Sequence, residues 1–101
     1  MVETLKERAK RLTADVPDIY VFRCINGHTL RNIRELEAEL KNISEDDYKY
    51  HVNSQKNDFT NWVKDIVKDE ILAKNLLRST SRAQASRQAT SRLHDLSKLL
   101  V

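Results

Sequence analysis

Residues 57–67 read Asn57-Asp58-Phe59-Thr60-Asn61-Trp62-Val63-Lys64-Asp65-Ile66-Val67. Phe59, Trp62, Val63, Ile66 and Val67 stand at i, i+3, i+4, i+7 and i+8, which is the apolar face of an amphipathic helix. Asn57 or Asp58 can cap its start. This is the strongest periodic segment of the chain, and it sets the expectation of a mainly helical fold. Toward the C-terminus, Asp69-Glu70 can restart a helix carrying Ile71, Leu72, Leu76 and Leu77. Two alternatives stand at Lys68: a break, or one helix from Phe59 through Leu77.

Moving toward the N-terminus, Ser44 can cap a short helix that runs to about Val52. Glu45, Asp46 and Asp47 suit the positive end of its dipole, and Ile43 and Tyr48 are placed as a hydrophobic staple. Asn32 with Glu35 forms a second capping pattern, and Ile33, Leu36, Leu40 and Ile43 follow at helical spacing. Trp62, Phe59, Tyr48, Leu36 and Leu40 are the expected core. Before Asn32, the run from Ile19 to Ile25 is rich in β-branched and aromatic residues, and Asn26-Gly27 suits a two-residue type I′ turn, with His28-Thr29-Leu30 returning. Val2, Leu5, Ala9 and Leu12 mark a first helix over 2–13, ended by Pro17.

At the other end, Ala85, Ala89, Leu93, Leu96 and Leu100 step by four, four, three and four. That stripe is narrow, small at its start and leucine-rich at its end, as a helix-to-helix seam requires. The expected organisation is an N-terminal amphipathic helix over 1–15, a compact hairpin-plus-helices domain over 16–77, and an Arg/Ser/Ala-rich helix over 78–101. The fold class is therefore mainly α: a small helical domain with a short N-terminal β-hairpin and a C-terminal amphipathic helix.

Composition excludes several function classes. The 101 residues contain one Gly, one Pro and one Cys. A glycine-rich phosphate loop needs several glycines, so nucleotide-binding enzymes of that kind are out. Cys24 alone permits no internal disulfide, and the longest apolar run, Ile19-Tyr20-Val21-Phe22, is too short for a membrane span. With no apolar leader segment, a cytoplasmic protein without a membrane partner is expected. His28, His51 and His94 lie far apart in sequence, and no pair has the spacing of helical metal ligands. No cofactor and no metal are expected. The formal charge of +3 is unevenly spread: residues 1–75 hold 13 Lys/Arg against 14 Asp/Glu, and residues 76–101 hold 5 against 1.

The densest polar stretch is His51-Val52-Asn53-Ser54-Gln55-Lys56-Asn57-Asp58, followed by Phe59 and Trp62. A catalytic reading makes His51 a general base oriented by Asp58. A structural reading makes Asn57 and Asp58 caps, His51 a tie for the loop, and Phe59 and Trp62 core. The structural reading is preferred, because no nucleophile or oxyanion donor accompanies the pair, and no enzyme is expected.

Residues from about Val16 to Leu77 resemble a small prokaryotic, largely archaeal, domain family of unknown function. The resemblance rests on Pro17, Tyr20-Val21-Phe22, Asn26-Gly27, Asn32-Ile33-Arg34-Glu35-Leu36, and an H-x-N-x(3)-N-D-F-x-x-W signature met by His51, Asn53, Asn57, Asp58, Phe59 and Trp62. It covers about three fifths of the chain, implies a recurrent folded unit and brings no activity with it. The Arg-rich tail lies outside it.

Two functions remain. The first is a non-catalytic protein-interaction or self-association module, a homo-oligomer or a binder of another protein, assembled through Ala85, Ala89, Leu93, Leu96 and Leu100. A homo-oligomer of this kind is expected to have closed symmetry. The alternative is a nucleic-acid-binding protein, nucleoid-associated or regulatory, using Arg78, Arg82, Arg87 and Arg92 on phosphates. At about 100° per residue, those four arginines scatter around the helix, which favours the first reading.

Overall fold

Six helix starts each rest on a side chain that accepts a backbone N–H from three residues on. The computed structural model of the chain describes residues 2–101. Thr4 caps α1 (Leu5–Thr13), Asn32 caps α2 (Ile33–Asn42), and Ser44 caps α3 (Glu45–His51). Asn57 caps α4 (Asp58–Trp62), Asp69 caps α5 (Glu70–Arg78), and Ser81 caps α6 (Arg82–Leu99). The first helix begins later than the periodicity suggests. Val2 lies before the Thr4–Glu7 capping box, and only Ala9 and Leu12 of the four stripe residues are buried.

The hairpin is shorter than the run from Ile19 to Ile25. Asp18–Tyr20 forms a 3₁₀ turn, and the strands are β1 (Phe22–Arg23) and β2 (Thr29–Leu30), antiparallel with Phe22 opposite Leu30. The connection is also different from the expected two-residue type I′ turn. Cys24 N–H donates to His28 O at 2.8 Å and Gly27 N–H to Cys24 O at 3.0 Å, which closes a three-residue loop of Ile25, Asn26 and Gly27. Positive φ is needed at Gly27 alone, where it is 91°. A three-residue loop puts its left-handed residue last, so Asn26 keeps negative φ; its Oδ1 accepts from His28 N–H and its Nδ2 donates to Glu39.

Residues 57–67 resolve into two parts. After Trp62 the helix widens into a π turn over Val63–Val67 and stops at Lys68, whose φ of 69° is left-handed. Lys68 and Asp69 N–H both donate to Val63 O, at 2.7 and 3.1 Å. The chain therefore breaks at Lys68. Phe59, Trp62, Val63 and Val67 are buried, while Ile66 sits half-buried at the edge.

One continuous hydrophobic cluster runs from Ala9 and Leu12 on α1 to Leu96 on α6. α6 lies along α2 and also packs on α5 and α1. Ala85 and Ala89 are 1% and 2% exposed and let the neighbouring backbone approach closely; Leu96 is 1% exposed. This corrects the interface assignment. The stripe of Ala85, Ala89, Leu93, Leu96 and Leu100 faces the chain's own core, with Leu93 and Leu100 partly buried against it. A narrow apolar seam looks the same whether the helix it meets belongs to another chain or to the same one. The division at 15 and 77 accordingly marks a change in composition and no break in packing. Among the described residues no helix is long and apolar enough to cross a membrane.

Candidate functional site

The hairpin end of the molecule gathers most of the residues singled out in the sequence. Phe22 from β1 stacks on Phe59 from α4 with ring centroids 4.8 Å apart, and meets Trp62 edge-on at 5.8 Å. His51, the last residue of α3, tilts against Phe22 at 5.1 Å and Phe59 at 5.2 Å. The imidazole is 3% exposed. Its Nε2 accepts from Ile25 N–H at 3.0 Å, and its Nδ1 lies 3.0 Å from Asp58 Oδ2. A backbone N–H can only donate, so Nε2 carries the lone pair and Nδ1–H donates to the carboxylate.

That assignment decides what the pair can do. A His–Asp couple of this geometry resembles a general base with its orienting acid, yet the basic nitrogen is already occupied by a main-chain amide and shielded by two rings. His51 fastens the hairpin loop to α3 and α4. Asp58 also accepts from Lys56 Nζ at 2.8 Å. Partial burial raises the Asp58 pKa, but the hydrogen bonds from Lys56 and His51 more than offset it, and the carboxyl stays below the usual aspartate range. Lys56 is raised in turn by its bond to Asp58 and lies 4.6 Å from the centroid of the Tyr50 ring.

The other signature residues close the connecting loop. Asn53 N–H donates to Lys56 O at 2.9 Å, and Asn53 Oδ1 accepts from Gln55 N–H at 2.9 Å. Asn57 pairs with Val52 as an isolated bridge and accepts from Thr60 N–H at 2.9 Å. Trp62 Nε1 reaches back 42 residues to donate to Tyr20 O at 2.8 Å. Cys24 is buried, and burial pushes its thiol up to about 12, far from the thiolate a nucleophile needs. Among the described residues no group of three or more His, Cys, Asp or Glu side chains is placed to hold a metal ion.

Two buried carboxylates belong to this architecture: Glu39 escapes the sequence reading, and Asp69 enters it only as a helix start. Glu39 is 7% exposed; it accepts from Asn26 Nδ2 at 2.7 Å and lies 2.7 Å from His28 Nδ1, so α2 grips the hairpin from its other side. Its position between Leu36, Leu40 and Ile43 on the inward stripe of α2 is the signal that could have found it. Asp69 is 1% exposed and pairs with Arg92 Nε at 2.8 Å.

The tail arginines divide into two pairs. Arg92 is committed to Asp69. Arg82 Nε donates to Glu45 at 2.9 Å and its Nη1 to Leu40 O at 2.7 Å, where it also neutralises the negative end of α2. Neither is free for a ligand, which corrects their assignment as nucleic-acid contacts. Arg78 and Arg87 are exposed and form no ion pair among the described residues.

Around the aromatic cluster, four large apolar residues remain open to water: Ile19 at 82%, Tyr20 at 49%, Ile25 at 50% and Tyr50 at 52% exposure. No family model, no curated protein and no solved structure matches this chain.

Proposed function

We propose that this chain is a non-catalytic protein-interaction module that self-associates through its hairpin end. One observation carries the reading. Tyr20 and Ile25 hang from main-chain atoms held by buried side chains, Tyr20 O by Trp62 Nε1 and Ile25 N–H by His51 Nε2, and Tyr50 immediately precedes His51. Single exposed apolar residues are ordinary on a protein surface. Three of them, Tyr20, Ile25 and Tyr50, border one aromatic cluster on backbone fixed from beneath, with Ile19 next to Tyr20 in the 3₁₀ turn, and form a surface that loses little conformational freedom on docking.

Charge favours a second copy of this chain as the occupant. Asp18 and Arg23 are both exposed beside these residues, have opposite signs, and form no ion pair within the described chain. In a two-fold contact, Asp18 of one copy can meet Arg23 of the other, which is the self-complementarity an isologous interface needs. α6 is not the assembly element of this proposal, since its seam is filled internally. The catalytic alternative is disfavoured by the commitment of His51 Nε2 to Ile25.

The test is the mass in solution across a hundredfold concentration series, for the full chain and for the Ile19→Asp, Ile25→Asp double variant. A dimer that the substitutions convert to a monomer of unchanged far-UV circular dichroism supports the proposal. A wild-type chain that stays monomeric throughout, or a dimer indifferent to both substitutions, overturns it.

A further inference from the structure

α6 turns a second face to water, and it is not the one its arginines suggest. At about 100° per residue, Arg87, Ser91, His94 and Lys98 fall within about 60° of one another around the axis, and all four are exposed. At about 1.5 Å per residue, the stripe is about 16 Å long. Beside it lies an open depression lined by Lys41 of α2 and by Ser86, Arg87, Thr90, Ser91 and His94 of α6. Its lining consists of two cations, Lys41 and Arg87, three hydroxyls and the His94 imidazole, with no carboxylate. The depression between α4 and α5 includes Glu70, and the one bounded by α1, α5 and α6 includes Asp69 and Glu70.

The side chains of this face are positioned and, in part, uncommitted. Glu37, 15% exposed, accepts from Lys41 Nζ at 2.7 Å and from Thr90 Oγ1 at 2.9 Å, which sets both on the rim. Arg87 and Lys98 form no ion pair among the described residues, in contrast to Arg82 and Arg92.

We propose that this face of α6, through Arg87 and Lys98, binds the phosphodiester backbone of nucleic acid. A guanidinium fork, a lysine point charge and rows of hydroxyl donors are the groups that take non-bridging phosphate oxygens. Phosphates on one strand advance by about 3.4 Å along the axis. A stripe about 16 Å long can therefore engage a polymer at Arg87 and Lys98 together, where a free phosphate reaches only one of them. No Phe, Tyr or Trp side chain lies on the stripe, so phosphate contacts dominate and binding is independent of sequence. With the two unpaired cations, Arg87 and Lys98, engaged, log affinity falls with log salt at a slope of about −2 on duplex DNA. This inference does not rest on association through the hairpin end, which lies on other elements.

The experiment is fluorescence anisotropy of a labelled short DNA duplex with the full chain over a potassium chloride series. The Arg87→Gln, Lys98→Gln double variant is compared with Lys64→Gln, Lys74→Gln, which removes equal charge from exposed positions on other elements. Binding at low salt that is weakened about tenfold or more by the first pair only, with the salt slope reduced by about 2, supports the proposal. No binding at low salt overturns it, as does an equal loss in the two variants. Competition by inorganic phosphate as effective as that by unlabelled duplex, at equal phosphate concentration, also overturns it, because the site would then be one for a single anion. All four positions are exposed, so unchanged circular dichroism is expected throughout.

Discussion

Arg92 of α6 donates through Nε to Oδ2 of Asp69, 2.8 Å away, while Oδ1 of the same carboxylate accepts from Leu72 N–H at 3.0 Å. One buried side chain thus starts α5 and ties that start to α6. Removing Arg92 leaves a carboxylate without its charge partner in the interior. Arg92→Ala should cost about 3–5 kcal/mol, measured by urea unfolding. Adding Asp69→Asn, which keeps an N-cap acceptor but no charge, should recover part of that loss. An Arg92→Ala chain as stable as wild type would show that the pair does not hold the two helices together.

Ala89 is 2% exposed on the α6 seam. Ala89→Leu adds volume at a position already packed against the chain's own core, and a loss of about 1–3 kcal/mol is expected from overpacking. The solution mass should not respond to this change. A variant with unchanged stability and altered mass would place the seam between chains.

Asp58 links His51 and Lys56, and its carboxyl is held below the usual range. The folded chain therefore keeps this group ionised to lower pH than the unfolded chain does. Its contribution is complete above about pH 4, the ordinary aspartate value, and is lost as pH falls through the lower folded value. Asp58→Asn should be less stable than wild type at neutral pH, and the gap should narrow below about pH 4. Urea midpoints of both proteins across pH 2.5 to 7 check this, and a constant gap would refute it.

Among the described residues positive φ occurs at two positions, Gly27 at 91° and Lys68 at 69°. No heavy atom lies within 4 Å of a Cβ built on Gly27, so Gly27→Ala meets only the conformational cost of positive φ, about 1–2 kcal/mol. Lys68→Val, with a β-branched side chain in the same region, should lose a similar amount, whereas Lys68→Gly should lose nothing. Thermal melts distinguish these cases.

Helix positions were legible in the residues because their causes are local. Asn32, Ser44 and Asn57 satisfy N–H groups three residues away, and the apolar spacing of Leu36, Leu40, Phe59, Trp62 and Val63 points each helix inward. The π turn at Val63–Val67 was not legible, because its apolar residues have the same spacing whether the turn is widened or regular.

The sequence by itself determined that this protein is mainly helical, that its one glycine marks the hairpin turn, and that its net positive charge lies in the last 26 residues. Only the tertiary structure decided which surfaces those residues form. Asp69 and Arg92 are 23 positions apart, Ile25 and His51 are 26 apart, and Tyr20 and Trp62 are 42 apart. Periodicity states which face of a helix is apolar, but not what covers it. The α6 seam is covered by the chain's own α2, α5 and α1, two of its arginines are consumed in that packing, and the surfaces left for partners are the hairpin end and the outer face of α6.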